Sequence, residues 1–383
     1  MRWKKVCVKD VALGIFDGPH ATPPEADSGA IFLGISNFVN GQLDLSNIRY
    51  ISEDDLPKWT RRVVPQENDI VFSYEATLNL YAIIPNGFRG CLGRRMALIR
   101  PDNEKINYKF LYYYFYSKAW RDIISENTVL GATVDRIPLV KFPNFEIELP
   151  PVKTQNRIAD ILSAYDNLIE NNQKQIKLLE EAAQRLYKEW FVDLRFPGSE
   201  NTPIIDGIPQ GWRKELVGNV IEKSYRSKQV MTADYLEEGK IPVIDQSRDF
   251  VAGYTNDEET LVSLGKPVIV FGDHTRILKY IQFPFAKGAD GTQLIISKCE
   301  NMPQPLLYLS LLEIDLSNYH YARHFKYLKA EEIIVPDMIT AKSFEKLIQP
   351  IFAKVQILRN QINNAKQARD RLLPKLMSGE LEM

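Results

Sequence analysis

The sequence is poor in cysteine and histidine, carries no long apolar run, and has almost no net charge. Its three cysteines, Cys7, Cys91 and Cys299, are odd in number and far apart, which excludes a disulfide framework and a cysteine-rich metal site. No apolar stretch approaches the ~18 residues a membrane span needs. The opening MRWKKVCVKD lacks the apolar core and cleavage site of a signal peptide, so a cytoplasmic location is expected. A formal charge of −1 excludes a uniformly basic coat but leaves room for a local basic groove. Catalytic signatures are missing as well. There is no GxxxxGK[ST] phosphate loop and no GxGxxG fingerprint. No Asn-Pro-Pro or Asp-Pro-Pro motif ending in an aromatic residue occurs, and Pro101-Asp102 is not followed by an acidic-x-Lys element. These absences disfavour a self-sufficient nuclease or methyltransferase.

What is present is a pair of long apolar seams. Ile158, Leu162, Tyr165, Ile169, Ile176, Leu179, Ala183, Leu186 and Trp190 recur at intervals of four and three, interrupted only by Asn172. Phe344, Ile348, Ile351, Val355, Leu358, Ile362, Ala365, Leu372 and Leu376 repeat the spacing, with Arg369 as the exception. A mean interval of about 3.5 residues marks helices that pack on a partner helix. The second series is the first displaced by 186 positions, and the same displacement carries Ile147 to Ile333 and Pro150 to Pro336. This is an internal duplication. Helices over Thr154–Phe191 and from Ser343 onward are expected, each roughly 50 Å long at about 1.5 Å per residue. Asn172 facing Leu358, and Arg369 facing the Ala183 layer, would fix the register.

Each seam follows a mixed segment of strands and turns. In the first, strands are expected near Trp3–Leu13, Ile31–Leu33, Asp69–Phe72 and Tyr81–Ile84, with one helix over Tyr108–Trp120. In the second, Trp212-Arg213-Lys214 echoes Trp3-Lys4-Lys5, Ile241–Ile244 stands for Ile31–Gly34, and Val268–Phe271 stands for Ile70–Phe72. The anchors repeat while the loops between them diverge. The expected fold class is mixed α/β (α+β): two globular domains joined by two long antiparallel coiled-coil helices, with an internal pseudo-two-fold repeat. The boundaries are 1–150, 151–198, 199–336 and 337–383. Such a spacer would hold two unlike surfaces apart by one to one and a half turns of DNA, at about 34–36 Å per turn. Without DNA affinity, the same design would serve as a coiled-coil scaffold or adaptor.

At this point the residues resemble a known family. Leu149-Pro150-Pro151, Gln155, Ile158, Ile161-Leu162 and Leu186 to Phe191 resemble the central conserved region of type I restriction-modification specificity subunits. Arg371 to Leu381 is similar to their distal conserved region. Phe271-Gly272-Asp273-His274-Thr275-Arg276, with Gly288 to Gln293 and Arg323 to Leu328, resembles one type of their target recognition domain. The resemblance implies that 1–150 and 199–336 are target recognition domains, each reading half of a split double-stranded DNA site. It implies that the helices dock two modification (methyltransferase) subunits, and that restriction subunits join the complex in phage defence. S-adenosylmethionine, ATP and magnesium would belong to those partners alone.

Candidate DNA contacts follow from side-chain chemistry, since basic groups hold phosphates while Arg, Asn or Gln read base edges. Asn86–Arg121 contains eight basic residues opposed within it only by Asp102 and Glu104. From the first domain the candidates are Ser73, Tyr74, Arg89, Arg94, Arg95 and Arg136. From the second they are Asp273, His274, Arg276, Lys279, Lys287, Gln293, His320, Arg323 and Lys326. Asp273 with His274 has the composition of a general base or metal pair, but no second ligand cluster follows. The preferred reading places Arg276 on phosphate or guanine with Asp273 orienting it.

Overall fold

The computed structural model describes residues 3–131, 133–222, 225, 227–319 and 323–381. The chain divides into two compact units, Met1–Glu170 with Ile362–Met383, and Asn171–Gln361.

In the first unit, strand periodicity builds two cores from one sheet. Ala12–Asp17, Met96–Pro101, Ile70–Ser73 and Tyr81–Ile83 lie side by side in that order, all antiparallel. Alternate side chains of a strand point to opposite faces. Ile70, Phe72, Ala97 and Ile99 therefore enter a helix-side core, while Val71, Leu98 and Met96 enter another with Leu33 and Ala82. A smaller sheet sets Ala30–Leu33 antiparallel to Arg49–Ile51 and parallel to Gly90–Leu92. Lys4–Cys7 pairs with Glu146–Leu149, joining the start of the unit to the lead-in of the long helix.

The expected helix Tyr108–Trp120 is two helices, Tyr108–Tyr114 and Lys118–Asn127. The break lies at Ser117, whose hydroxyl accepts the Trp120 N–H at 3.2 Å and so starts a new helix. Asn107 caps the first helix by accepting from Lys109 and Phe110. Buried Gln155 accepts the Asn107 N–H at 2.9 Å and donates to the Pro150 carbonyl at 2.8 Å, fixing the aromatic helix to the start of the long one.

The second unit repeats the plan. Leu278–Ile281, Val268–Gly272 and Thr292–Ile295 form an antiparallel sheet. Ile269, Phe271 and Ile295 face the helix-side core, and Val268, Val270 and Leu294 face the other. Ile241–Ile244 runs parallel to Phe285–Gly288, as Ala30–Leu33 does to Gly90–Leu92. Arg213–Leu216 pairs with Glu332–Val335. The carbonyl of Pro336, the counterpart of Pro150, is satisfied here by Asn301 at 2.7 Å.

The long helices span Val152–Tyr187 and Met338–Met377. The second starts before the expected Ser343 because Asp337 accepts the Ile339 and Thr340 N–H groups, and the Trp212 indole holds that carboxylate at 2.9 Å. Every seam position predicted from the spacing is buried or half-buried. Within each unit the helix segments pair antiparallel. Ile158, Leu162 and Leu376 share the first core; Tyr187 and Trp190 meet Phe344 in the second.

The two polar interruptions find partners other than those expected. The Asn172 amide donates to Gln361 at 3.1 Å, one turn beyond Leu358. Arg369 does not enter the Ala183 layer; it donates to Asp166 at 2.6 Å, and the Tyr113 hydroxyl donates to the same carboxylate at 2.5 Å. In an antiparallel pair, positions equivalent by repeat are not the positions in contact.

Candidate nucleic-acid interface

In the first unit, the central sheet ends in a basic rim. The chain leaves Ile70–Ser73 at Tyr74, whose N–H donates to the Arg95 carbonyl at 3.2 Å and whose carbonyl accepts from Ile137 at 2.8 Å. Tyr74 thus sits between two segments, one carrying Arg94 and Arg95 and the other Arg136. Its hydroxyl is 3.4 Å from the Arg94 carbonyl and 3.5 Å from His20 Nδ1. Burial, with Asp17 and Glu75 nearby, raises the Tyr74 hydroxyl above its ordinary pKa, so it remains a neutral donor. Asp17, at the end of its strand, accepts Arg62 at 2.5 Å and lies 3.1 Å from the His20 ring. Among the described residues, no carboxylate pairs with Arg94, Arg95 or Arg136.

Other basic residues of the Asn86–Arg121 stretch are paired with carboxylates, Arg89 and Arg100 across the fold and Lys105 and Lys118 with near neighbours in sequence. Arg89 forms a two-pronged pair with Glu53. Arg100 grips buried Asp69 through two contacts of 2.9 and 2.8 Å. Lys105 pairs with Asp102 and Lys118 with Asp122. The stretch that is predominantly basic in sequence therefore yields a narrower basic surface. Ser73 is buried, with its hydroxyl turned to the Glu75 carbonyl, and is placed for support rather than contact.

The corresponding sheet end of the second unit is organised by polar clasps. Asp273 is buried; its carboxylate accepts the Phe325 N–H at 2.7 Å and its carbonyl accepts the His324 N–H at 2.9 Å. It anchors the short helix His324–Leu328, so the expected role of orienting Arg276 is not the one it performs. Arg276 donates instead to the Leu316 carbonyl at 2.9 Å, beside a cavity of about 340 Å³ lined by Phe271, Leu278, Leu312 and Leu328. His274 is exposed, and its N–H is held by Gln246, whose amide also donates to the Asp290 carbonyl at 2.7 Å. Gln246 ties two loops of this rim together, and only tertiary contact marks it.

Of the remaining candidates, Lys279 is buried against the Asp249 carbonyl and lies 3.8 Å from Asp245. Burial pushes its ammonium pKa down, so it acts as an internal tie. Lys287 is half-buried, and burial lowers its pKa also. Gln293 is half-buried opposite Phe271, while Arg323 and Lys326 are exposed beside the Asp273 anchor. His320 lies outside the described residues. Asp273 and His274 are not joined by a side-chain hydrogen bond, and no group of three or more His, Cys, Asp or Glu among the described residues is placed to hold a metal. Also among the described residues, no helix is long and apolar enough to cross a membrane.

Comparison with known proteins agrees with this architecture. A family profile described as "Type I restriction modification DNA specificity domain" matches residues 2–181. The type I restriction enzyme MjaIX specificity subunit of Methanocaldococcus jannaschii is 27% identical over 376 residues, covering 89% of this chain and 85% of the relative. A putative MjaX specificity subunit of the same organism is 24% identical, covering 100% and 94%. Among solved structures, the S subunit of a type I restriction-modification system from M. genitalium superposes with a TM-score of 0.60 at 16% identity, covering 98% of this chain and 96% of that one. It shares the fold.

Proposed function

We propose that the chain is a non-catalytic specificity subunit of a type I restriction-modification system, and that its two units read the two halves of a split, asymmetric DNA site. The observation that carries the reading is the rim in the first unit. Arg94, Arg95 and Arg136 come together there without carboxylate partners among the described residues, on neighbouring segments fixed by Tyr74. Unpaired guanidinium groups on a rigid edge suit both phosphate and guanine. The second rim, with His274, Arg323 and Lys326 exposed around the Asp273 anchor, has a different set of donors and would read a different half-sequence.

In this reading 1–150 and 199–336 are the reading heads, while 151–198 and 337–383 are the helices that dock two modification subunits, with restriction subunits joining the assembly. Exposed Leu178, Leu347 and Ile357 on the long helices support docking of a protein partner. S-adenosylmethionine, ATP and magnesium would be bound by those partners.

The test is selection of bound duplexes from a random pool by the full chain with its modification subunits, followed by affinity measured against salt. Arg94→Ala with Arg95→Ala is expected to erase preference in one half-site and retain the other. The salt slope is expected to fall by about one for each phosphate no longer neutralised. Loss of preference in both halves together would overturn the division of labour.

A further inference from the structure

The basic rim of the first unit carries one feature that phosphate binding does not use. The chain leading into Arg136 folds back, so that Val129 pairs with Arg136 as a hairpin. The N–H and carbonyl groups of Val129 and Arg136 exchange hydrogen bonds of 2.9 and 3.1 Å, and Ala76 donates to the Asp135 carbonyl at 3.0 Å. Asp135 also accepts the Gly131 N–H at 3.4 Å, so its side chain braces the turn from within. Gly131 is required there, since a Cβ would lie 2.2 Å from the Val134 carbonyl oxygen. At this braced tip Leu130 is 81% exposed and its neighbour Val129 is 42% exposed.

An isolated surface leucine needs no explanation. This one stands on a hairpin tied by backbone hydrogen bonds to the Tyr74–Ala76 segment, which is itself tied to the segment carrying Arg94 and Arg95. Any polyanion held by those arginines brings its groove to the hairpin. Polar and charged side chains suffice to hold phosphates, whereas an apolar side chain gains only from an apolar target. On the edges of DNA bases the one apolar group is the 5-methyl of thymine.

We infer that Leu130 is a specificity-determining residue that packs against a thymine 5-methyl group in the half-site read by the first unit. The inference rests on the DNA-reading function proposed above. It assigns to the hairpin a selection for T that the arginines cannot make, because their donors match guanine acceptors and phosphate oxygens.

The test uses the full chain with its modification subunits and the duplex it selects from a random pool. Each thymine is replaced in turn by deoxyuridine, which deletes only the methyl. One thymine in the first half-site is expected to lose affinity by about fourfold, roughly what burial of one methyl-sized group contributes. In Leu130→Ala the same replacement is expected to have no further effect, while the melting temperature stays unchanged because Leu130 packs on little. Equal deoxyuridine losses in wild type and Leu130→Ala, or none in either, would overturn the assignment. Permanganate hyper-reactivity of a thymine abolished by Leu130→Ala would also overturn it, in favour of a wedge that unstacks bases. Failure of the DNA-reading function itself would look different: the wild-type assembly would select no sequence at all.

Discussion

The two units solve one packing problem in opposite ways. In the first, Asp166 on one long helix accepts from Arg369 on the other and from the Tyr113 hydroxyl. The 186-residue offset carries Asp166 to Phe352 and carries Ala183 to Arg369. In the second unit, accordingly, Phe352 and Ala183 are buried in an apolar layer, with Phe352 against the rings of Tyr280 and Tyr308 at 4.6 and 5.7 Å. A polar triad and an aromatic plug thus occupy equivalent places. In this layer charge meets charge in one unit and apolar meets apolar in the other, while elsewhere the second unit keeps its own ion pair between the helices, Arg359 to Glu180 at 2.7 Å. A duplicated helix pair does not need duplicated chemistry, provided both members of each layer change together.

Breaking the apolar member is expected to cost most. Phe352→Ala removes a buried ring and leaves a cavity, which predicts a loss of about 3–5 kcal/mol in denaturant unfolding of the second unit. Arg369→Ala leaves the Asp166 carboxylate without its cation. Both side chains keep some solvent access, 18% for Asp166 and 24% for Arg369, so the expected loss is about 2–3 kcal/mol, below that of a fully buried pair. The comparison is sharpened by Asp166→Phe and Arg369→Ala, which copy Phe352 and Ala183 into the first unit, together with Tyr113→Phe, which removes the hydroxyl left without its acceptor. Stability within about 1 kcal/mol of wild type is expected; a loss larger than that of Arg369→Ala alone would show that the two layers are not interchangeable.

The smallest expected effect concerns pH and only the second unit, where burial depresses the pKa of Lys287 without a countercharge. A folded pKa below the unfolded value of about 10.4 means that the unfolded chain binds more protons in the window between them. Stability is therefore expected to rise with pH as that window is entered from below. Lys287→Met should flatten the rise without loss at neutral pH, as followed by denaturation midpoints across the alkaline range. An unchanged slope would place the cause elsewhere.

What residue order makes legible is whatever repeats locally. The 3.5-residue seam is a property of one helix face, so Ile158, Leu162, Phe344 and Ile348 are identifiable from spacing alone. The strands around Ile70–Phe72 and Val268–Phe271 are legible for the same reason. Charge compensation across the fold is not, because it joins pairs distant in sequence. Arg89 and Arg100 look free in a basic stretch until the fold brings Glu53 and Asp69 to them. Asp273 next to His274 suggests chemistry until its carboxylate is found holding the Phe325 backbone. The helix break at Ser117 is hidden by aromatic residues on both sides, although a serine three residues before Trp120 is a capping signal. The rim is legible at Arg94, Arg95 and Arg136 as residue types, but not as one edge.

The first unit is built from both ends of the sequence described here. Its helix-side core, rich in Tyr and Phe from residues 72–145, is closed by Leu376 and Met377, with Leu372 and Leu373 packed beside them. The second unit needs nothing beyond Gln361. During synthesis the unit that is begun first of the two must therefore wait, its aromatic face uncovered, until the ribosome has released the closing helical turns, whereas the unit made in between has all its parts sooner. Order of translation and order of completion run in opposite directions.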